Sequence, residues 1–258
     1  MRAAELSPAA PIALFDSGAG GISVLREVRK VLPCEHFFYF GDTANAPYGA
    51  RSRQEILELV LGHAERLLGF CKALVLACNT ATAVAADELR RRYRDRIIVG
   101  IEPAVRPAVQ SAPHPLVLVL ATEVTLAEPR FLQLLADCEG EATILPLAAP
   151  GIVPLVEAGR GDSSEMDAYL AGLFADLPQK PDAVVLGCTH FPLAKAAIMR
   201  ALGGDVRLFD GAAGTARRLG FLLEQQGLLR RSGQTGRVFV TSSQKEALPL
   251  YRQLLEEP

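Results

Sequence analysis

The sequence predicts an α/β fold with two pseudo-symmetric domains, mainly parallel sheets and an active site between the domains. Short apolar runs alternate with longer segments of helical periodicity along nearly the whole chain, a pattern typical of strands that alternate with helices. Several runs, residues 116–120 above all, are apolar without alternation, as expected in a parallel sheet covered on both faces. Two related motifs, Cys78-Asn79-Thr80 and Cys188-Thr189-His190, follow such runs in the two halves of the chain.

The predicted elements follow one another in chain order. Strands are predicted at residues 11–15, 36–40, 73–77, 97–100, 115–120, 142–146, 182–187, 206–209 and 237–241. Helices are predicted at residues 52–70, 80–93, 126–138, 163–177, 191–202 and 212–227, and one more opens after residue 21.

The number of strands predicts two domains, because nine strands exceed the usual count of one small sheet. Four prolines between residues 103 and 115 mark one boundary, and Gly211 to Gly214 marks the second. Residues 1–103 with 214–258 form the first predicted domain, and residues 104–213 form the second. Ligands of parallel sheets bind outside the carboxyl ends of the strands, where both cysteine motifs fall, so we expect a cleft between the two units.

Charge and composition narrow the function classes. Lys and Arg total 27 against 29 for Asp and Glu, a net charge of -2, which gives no electrostatic reason to expect nucleic acid as a partner. No apolar stretch approaches the roughly 20 residues that span a bilayer, and residues 1–11 lack the apolar core of a signal peptide. We therefore expect a cytoplasmic protein without a membrane partner. Five cysteines without a CxxC pair predict free thiols and no closed zinc site.

Two polar loops follow the first two strands. The loop from Asp16 to Gly21 is rich in glycine, so its backbone N–H groups are available to hold an anion. Taken alone, the loop is better explained as a plain strand-to-helix turn, because Asp and Ser are also good helix caps. The loop from Gly41 to Gly49 carries many donors and is either a connection or part of a site.

The cysteines divide into two groups. Cys34, Cys71 and Cys138 have no polar cluster around them in the sequence and are interpreted as inert buried side chains. Cys78 and Cys188 each stand at a predicted helix N-terminus, where the dipole favours thiolate. Two equivalent acid/base groups suit removal of a proton from one face of a carbon and its return to the other face, so racemisation is the first hypothesis.

These motifs resemble those of the aspartate/glutamate racemase family, and specifically its glutamate racemases, cofactor-independent enzymes that supply D-glutamate for bacterial peptidoglycan. DSGAGG, GDTANAPYG, ACNTATA and GCTHFPL occur in family order, together with VPLVE at residues 153–157 and DGAAGTARRL at residues 210–219. The departures are Ala121 and Glu128, where Gly and Ser are usual, and Ala149, where Cys is frequent.

The resemblance implies roles for individual residues. Cys78 and Cys188 would be the acid/base pair, with Cys78 deprotonating D-glutamate and Cys188 deprotonating L-glutamate. Asp16 would assist Cys78, and His190 and Glu157 would assist Cys188. Residues implied to bind L-glutamate and D-glutamate are Ser17, Pro47, Tyr48, Gly49, Asn79, Thr80, Thr122, Thr125 and Thr189. A homodimer is also expected.

The physical demand of the reaction is that one thiol must be ionised while the other keeps its proton. An unperturbed thiol has a pKa of about 8.5, so modest local fields set the two roles, and protonated His190 would favour thiolate at Cys188. No lysine motif suggests a pyridoxal Schiff base, so no cofactor is expected. Three alternatives stay open: an aspartate or related amino-acid racemase, a thiol-dependent hydrolase, and a noncatalytic two-domain binding protein.

Overall fold

Two parallel sheets, one in each half of the molecule, form the framework of the fold. The structure, a computed structural model, describes residues 6–231, 233 and 235–256. The strands of this part of the chain are β1 (Ile12–Asp16), β2 (Phe37–Gly41), β3 (Ala73–Leu76), β4 (Ile97–Gly100), β5 (Leu116–Ala121), β6 (Thr143–Ala148), β7 (Ala183–Leu186), β8 (Arg207–Asp210) and β9 (Val238–Ser242). All nine lie at predicted positions and pair in parallel, so the α/β prediction is confirmed.

The two sheets repeat one strand order. The first sheet runs β4-β3-β1-β2-β9 and the second runs β6-β5-β7-β8. In each half, the first strand along the chain lies between the second and the third, and β9 adds an edge strand to the first sheet only. The second strand therefore lies on one side of the first strand and the third strand lies on the other side, so the strand order reverses between the first and third strands. Such a switch point opens a crevice at the carboxyl ends of the strands.

Helices connect the strands and cover both sheets. They are α1 (Ile22–Val31), α2 (Arg53–Leu68), α3 (Asn79–Arg92), α4 (Val105–Val109), α5 (Glu123–Ala127), α6 (Pro129–Ala136), α7 (Ile152–Glu157), α8 (Ser164–Leu173), α9 (Lys195–Ala201), α10 (Ala212–Gln225) and α11 (Leu248–Glu256). Short 3-10 helices occupy Thr43–Asn45, Tyr48–Ala50, Phe191–Ala194 and Lys245–Ala247. No helix in the described residues is long and apolar enough to cross a membrane.

One predicted helix is wrong in detail. The pattern at residues 126–138 predicts a single helix, but the structure has α5 and α6 with a break at Glu128, whose backbone is extended. Pro129 causes the break, because the residue before a proline is pushed out of the helical region. Helices α4, α7 and α11 are additions to the predicted set.

Among the described residues, four apolar clusters form the core, one on each face of each sheet. Alternate residues of β1 point to opposite faces: Ile12 and Leu14 belong to one cluster, Ala13 and Phe15 to the other. The second sheet is covered in the same way. The domain boundaries at residues 103/104 and 213/214 stay a prediction, and the first predicted domain includes residues 1–5, 232, 234, 257 and 258, which lie outside the described residues.

Candidate active site

A cavity of about 300 Å³ lies between the carboxyl ends of the two sheets. Corresponding loops of the two halves form its walls: those after the first, second and third strand of each sheet. The first half contributes Ser17, Pro47, Tyr48, Gly49, Ala50, Cys78 and Thr80, and the second contributes Thr122, Glu123, Pro150, Val153, Pro154, Cys188 and His190. Each cysteine stands two residues beyond the third strand of its sheet, so the thiols occupy equivalent positions in one cavity.

Most of the sequence-predicted site residues line this cavity. Those that do are Ser17, Pro47, Tyr48, Gly49, Cys78, Thr80, Thr122, Cys188 and His190. Asp16, Glu157, Thr125 and Thr189 lie behind the wall and contact the lining residues or their neighbours. Asn79 lines a different and smaller cavity, of about 30 Å³, between α3 and α6.

Cys78 is held as a thiol by its surroundings. It is the N-cap of α3, its sulfur accepts the Ala81 N–H at 3.4 Å, and Ser17 Oγ lies 3.6 Å away. Burial, reinforced by the charge of Asp16, nevertheless raises the pKa of the Cys78 thiol to about 12. The N–H of Ala81 at the helix N-terminus does favour the thiolate, as expected, but desolvation of the thiolate outweighs this contribution.

Asp16 supports the Cys78 side without a hydrogen bond to the thiol. Its carboxylate is fully buried and accepts the Gly18 N–H at 2.8 Å and the Thr189 hydroxyl at 2.9 Å. Burial raises the pKa of Asp16, and the nearby His190 opposes that rise. Asp16 thus fixes Thr189 of the opposite half and acts on Cys78 through its charge.

A relay of side chains supports the Cys188 side. His190 Nδ1 lies 3.7 Å from the sulfur of Cys188, and His190 Nε2 lies 2.6 Å from Glu157 Oε1. Burial by itself would lower the pKa of His190, but the hydrogen bonds to Cys188 and Glu157 raise it well above its usual value. Burial likewise opposes ionisation of Glu157, whose pKa is lowered overall by its contacts with His190 and the Ala19 N–H. An imidazolium beside Cys188 can donate a hydrogen bond to a thiolate.

The local structure after Cys188 differs from the prediction. A helix is predicted from residue 191, but the chain first forms the 3-10 helix Phe191–Ala194, and α9 begins only at Lys195. Cys188 therefore does not cap an α-helix as Cys78 does, and His190 takes over the support that the dipole was expected to provide.

The glycines of the first loop allow the two halves to touch. A Cβ on Gly18 would stand 1.9 Å from Glu157 Oε1, and a Cβ on Gly20 would stand 2.5 Å from His190 Nδ1. The backbone N–H of Ala19 donates to Glu157 Oε1 at 2.6 Å. The loop does hold an anion, as one interpretation of its sequence suggested, and that anion is a carboxylate of the protein.

A cluster of three hydroxyls crosses the cleft on its other side. Thr80 Oγ1 of the first half lies 3.0 Å from Thr122 Oγ1 and 3.3 Å from Thr125 Oγ1 of the second half. Asn79 is buried beside this cluster, and neither its amide nitrogen nor its oxygen has a hydrogen-bond partner.

The departures from the family pattern lie in the second half, at the ends of β5 and β6 and between α5 and α6. Ala121 and Ala149 are fully buried. Glu128 is buried as well, and its Oε1 lies 3.2 Å from Nε of Arg53 on α2. The glutamate that replaces the usual serine therefore forms an ion pair across the two halves.

Several residues of the cavity and its surroundings were not predicted from the sequence. Ala50, Glu123, Pro150, Val153 and Pro154 line the cavity. Val153 and Pro154 belong to the VPLVE motif, which was the available signal for them, and the symmetry of the two halves could have indicated the others. Asp42 does not line it but accepts the phenol hydrogen of Tyr48 at 2.8 Å. Its position in the Gly41–Gly49 loop was the available signal. All five cysteines are free, as predicted.

Fold and site together define a protein that presents two thiols to one cavity from two similar halves. The family model described as Asp/Glu/Hydantoin racemase matches residues 23–219. The chain is 42% identical to a glutamate racemase of Clostridium novyi (strain NT) over 250 residues, 95% of this chain and 96% of that one. The chain belongs to the Asp/Glu/Hydantoin racemase family and is an isomerase.

Solved structures of similar proteins agree with the fold. The glutamate racemase of Thermus thermophilus, in complex with beta-chloro-D-alanine, is 34% identical, with a TM-score of 0.81 over 97% of this chain and 94% of that one. The Escherichia coli glutamate racemase, in complex with L-glutamate and the activator UDP-MurNAc-ala, is 32% identical, with a TM-score of 0.81 over 95% of both chains.

Proposed function

We propose that the chain interconverts L-glutamate and D-glutamate without a cofactor and so supplies D-glutamate for peptidoglycan synthesis. Cys78 and Cys188 act as the acid/base pair. The observation that carries this proposal is the placement of two thiols at equivalent positions of one cavity of about 300 Å³. A hydrolase with one nucleophilic cysteine would leave the second thiol without a task, and a binding protein would need neither.

In the direction from L-glutamate, Cys188 is the base. As a thiolate stabilised by the imidazolium of His190, it removes the α-proton, and the thiol of Cys78 gives its proton to the opposite face. Each turnover transfers one proton from Cys78 to the substrate carbon and one from that carbon to Cys188. The ready state is then restored by proton exchange or by reaction in the reverse direction.

The cavity offers donors for a dicarboxylate. The hydroxyls of Ser17, Thr80 and Thr122 line it, as do residues Tyr48 and Gly49 of the Gly41–Gly49 loop. Donors fixed in a desolvated cleft stabilise the negative charge that develops at the α-carbon and carboxylate during proton removal. Proton transfer by positioned side chains adds roughly 10²- to 10⁴-fold for each group.

The test is incubation of the purified chain with L-glutamate in deuterated water without added cofactor. We expect D-glutamate to form and deuterium to enter the α-position of the product. L-Aspartate, run in parallel, tests the rival amino-acid racemase activity, and faster turnover of aspartate would favour that rival. If neither amino acid exchanges its α-proton, the proposal is wrong.

Two further properties belong to the same proposal. We infer a cytoplasmic location, where an enzyme that provides a wall precursor meets its substrate, and a homodimer, as the family resemblance implies. Cell fractionation tests the first, and light scattering of the purified chain in the presence of glutamate tests the second.

A further inference from the structure

A buried carboxylate stands directly behind the wall of the cavity. Asp42 follows β2 and is fully buried. One of its oxygens accepts the phenol hydrogen of Tyr48 at 2.8 Å, and both accept the side-chain amide of Asn45 at 3.0 Å. Tyr48 lines the cavity together with its neighbours Pro47 and Gly49, so the carboxylate anchors this wall from outside.

A histidine of α2 completes the anchor. His63 Nε2 lies 3.2 Å from the same oxygen of Asp42 that accepts the Tyr48 phenol. Its ring packs between Phe15 and Phe40, with centroid distances of 5.5 and 4.8 Å. The side chain is 18% exposed and borders an outer groove that also contains Arg51, Glu55, Glu58 and Arg66.

The charge state fixes the direction of every hydrogen bond in this group. Burial would raise the pKa of Asp42, but the hydrogen bonds from His63, Tyr48 and Asn45 outweigh it and lower the pKa. An ionised carboxylate only accepts hydrogen bonds. Tyr48 and His63 Nε2 must therefore both donate to Asp42, and the phenol hydrogen of Tyr48 is not available to a substrate.

We propose that His63 is a positioning residue of the substrate site, acting through Asp42 to hold Tyr48 and the adjoining Pro47–Gly49 wall at their distance from the second half. This inference rests on the proposed racemase function. The wall has little room to move inward, because a Cβ on Gly49 would already stand 3.0 Å from Thr122. Loss of the anchor would let the wall relax outward and widen the cavity.

The first test compares steady-state constants for L-glutamate in three variants. His63→Ala is expected to raise KM roughly tenfold, the order expected for a lost hydrogen bond to a charged group, with kcat changed less than twofold. His63→Gln keeps a donor at a similar reach and should restore most of KM. Glu58→Gln alters a charge in the same groove without touching Asp42 and should leave both constants unchanged.

The second test asks whether His63 acts through Tyr48. Tyr48→Phe removes only the phenol hydroxyl, so adding His63→Ala to it should raise KM no further. An additive increase would overturn the inference, as would an unchanged KM in His63→Ala. A fall in kcat and thermal stability with unchanged KM would mean a merely structural histidine.

A readout without turnover separates this inference from the proposed function. The chain is labelled with 3-fluorotyrosine and its fluorine NMR spectrum is recorded. The Tyr48 resonance is the one that is lost in Tyr48→Phe. It should shift in His63→Ala and return to its wild-type position in His63→Gln. An unmoved resonance contradicts the positioning role even if the wild-type chain racemises glutamate. A shifted resonance in a chain that does not racemise glutamate would leave the anchor intact and refute the proposed function.

Discussion

The buried His190 and the half-buried Glu157 form an ion pair in which the imidazole Nε2 lies 2.6 Å from the carboxylate Oε1. The same oxygen accepts the N–H of Ala19, at 2.6 Å, from the opposite half of the molecule. The support of Cys188 is therefore anchored on the glycine loop. The same loop carries Asp16, whose charge acts on Cys78. The two thiols share one framework, but a cationic group faces one of them and an anionic group influences the other.

The two-thiol mechanism predicts that either cysteine is indispensable. Cys78→Ser and Cys188→Ser should each lower the rate of racemisation by at least roughly 10²-fold, because each removes one proton-transfer group. Polarimetry with L-glutamate measures this. Cys138→Ala, which alters a buried thiol outside the cavity, serves as the control and should keep full activity. Undiminished racemisation by either serine variant would contradict the mechanism.

The ion pair predicts a selective effect of Glu157→Gln. Losing a hydrogen bond between charged groups costs about 1.5 to 3 kcal/mol, so kcat/KM should fall roughly 10- to 100-fold. The fall must be equal in both directions because the enantiomers have equal free energies. The kinetic isotope effect of α-deuterated substrate should rise more for L-glutamate than for D-glutamate, since Cys188 removes the proton of the L-isomer. A greater rise for D-glutamate would show instead that Glu157 acts on Cys78.

The same pair predicts a pH window of stability. The folded-state pKa of His190 is raised, so its contribution is complete below the unfolded value of about 6.5 and is lost as pH rises through the folded value. The pKa of Glu157 is lowered, so its contribution is present above about 4.3 and is lost as pH falls. The free energy of unfolding of wild type minus that of His190→Gln should therefore be largest between about pH 4.3 and 6.5. Urea titrations across pH 3 to 9 measure it, and a difference independent of pH would exclude a charged pair.

The sequence was sufficient for features that depend on local pattern. All nine strands follow from short apolar runs, and the equivalence of Cys78 and Cys188 follows from where those runs end. Helix α7 was not predicted: it is only six residues long and contains Pro154, although in the first turn a proline removes no helical hydrogen bond. The raised pKa of Cys78 was not predicted, because its causes, burial and the charge of Asp16, depend on tertiary structure. The link from His63 to Tyr48 joins a helix to a loop and leaves no periodic signal.

Close approach across the cleft predicts that Gly18→Ala impairs catalysis. A Cβ at this position would overlap Glu157 Oε1, so Glu157 must move away from His190, and kcat/KM should fall by about as much as in Glu157→Gln. Gly172→Ala on α8 is the matched control, because a Cβ there meets nothing within 4 Å. Replacing this helical glycine should leave activity unchanged and increase stability by roughly 0.5 to 1 kcal/mol. Equal activity of the two variants would show that the glycine is not required for contact between the halves.

A buried ion pair far from the cavity predicts a loss of stability without a loss of function. Lys72 Nζ is fully buried and donates to Glu35 Oε2 at 2.5 Å and to the carbonyls of Pro8 and Leu228. Lys72→Met leaves the Glu35 carboxylate buried without its cation, which should lower the free energy of unfolding by about 3 to 5 kcal/mol. KM for glutamate should stay unchanged at temperatures where the variant is folded.

A control variant and a double variant test whether the loss of stability comes from the Lys72–Glu35 pair. Lys180→Met replaces an exposed lysine and should change stability by no more than about 0.5 kcal/mol. Adding Glu35→Gln to Lys72→Met removes the unpaired charge, so the double variant should be more stable than the sum of the two single losses implies. Strict additivity in urea denaturation, or a loss below about 1 kcal/mol in Lys72→Met, would mean that Lys72 and Glu35 do not depend on each other. Coupling between them would show that the pair joins three segments of the chain. These are the segment before β1, which includes Pro8, the start of β3, and the chain after α10, which includes Leu228.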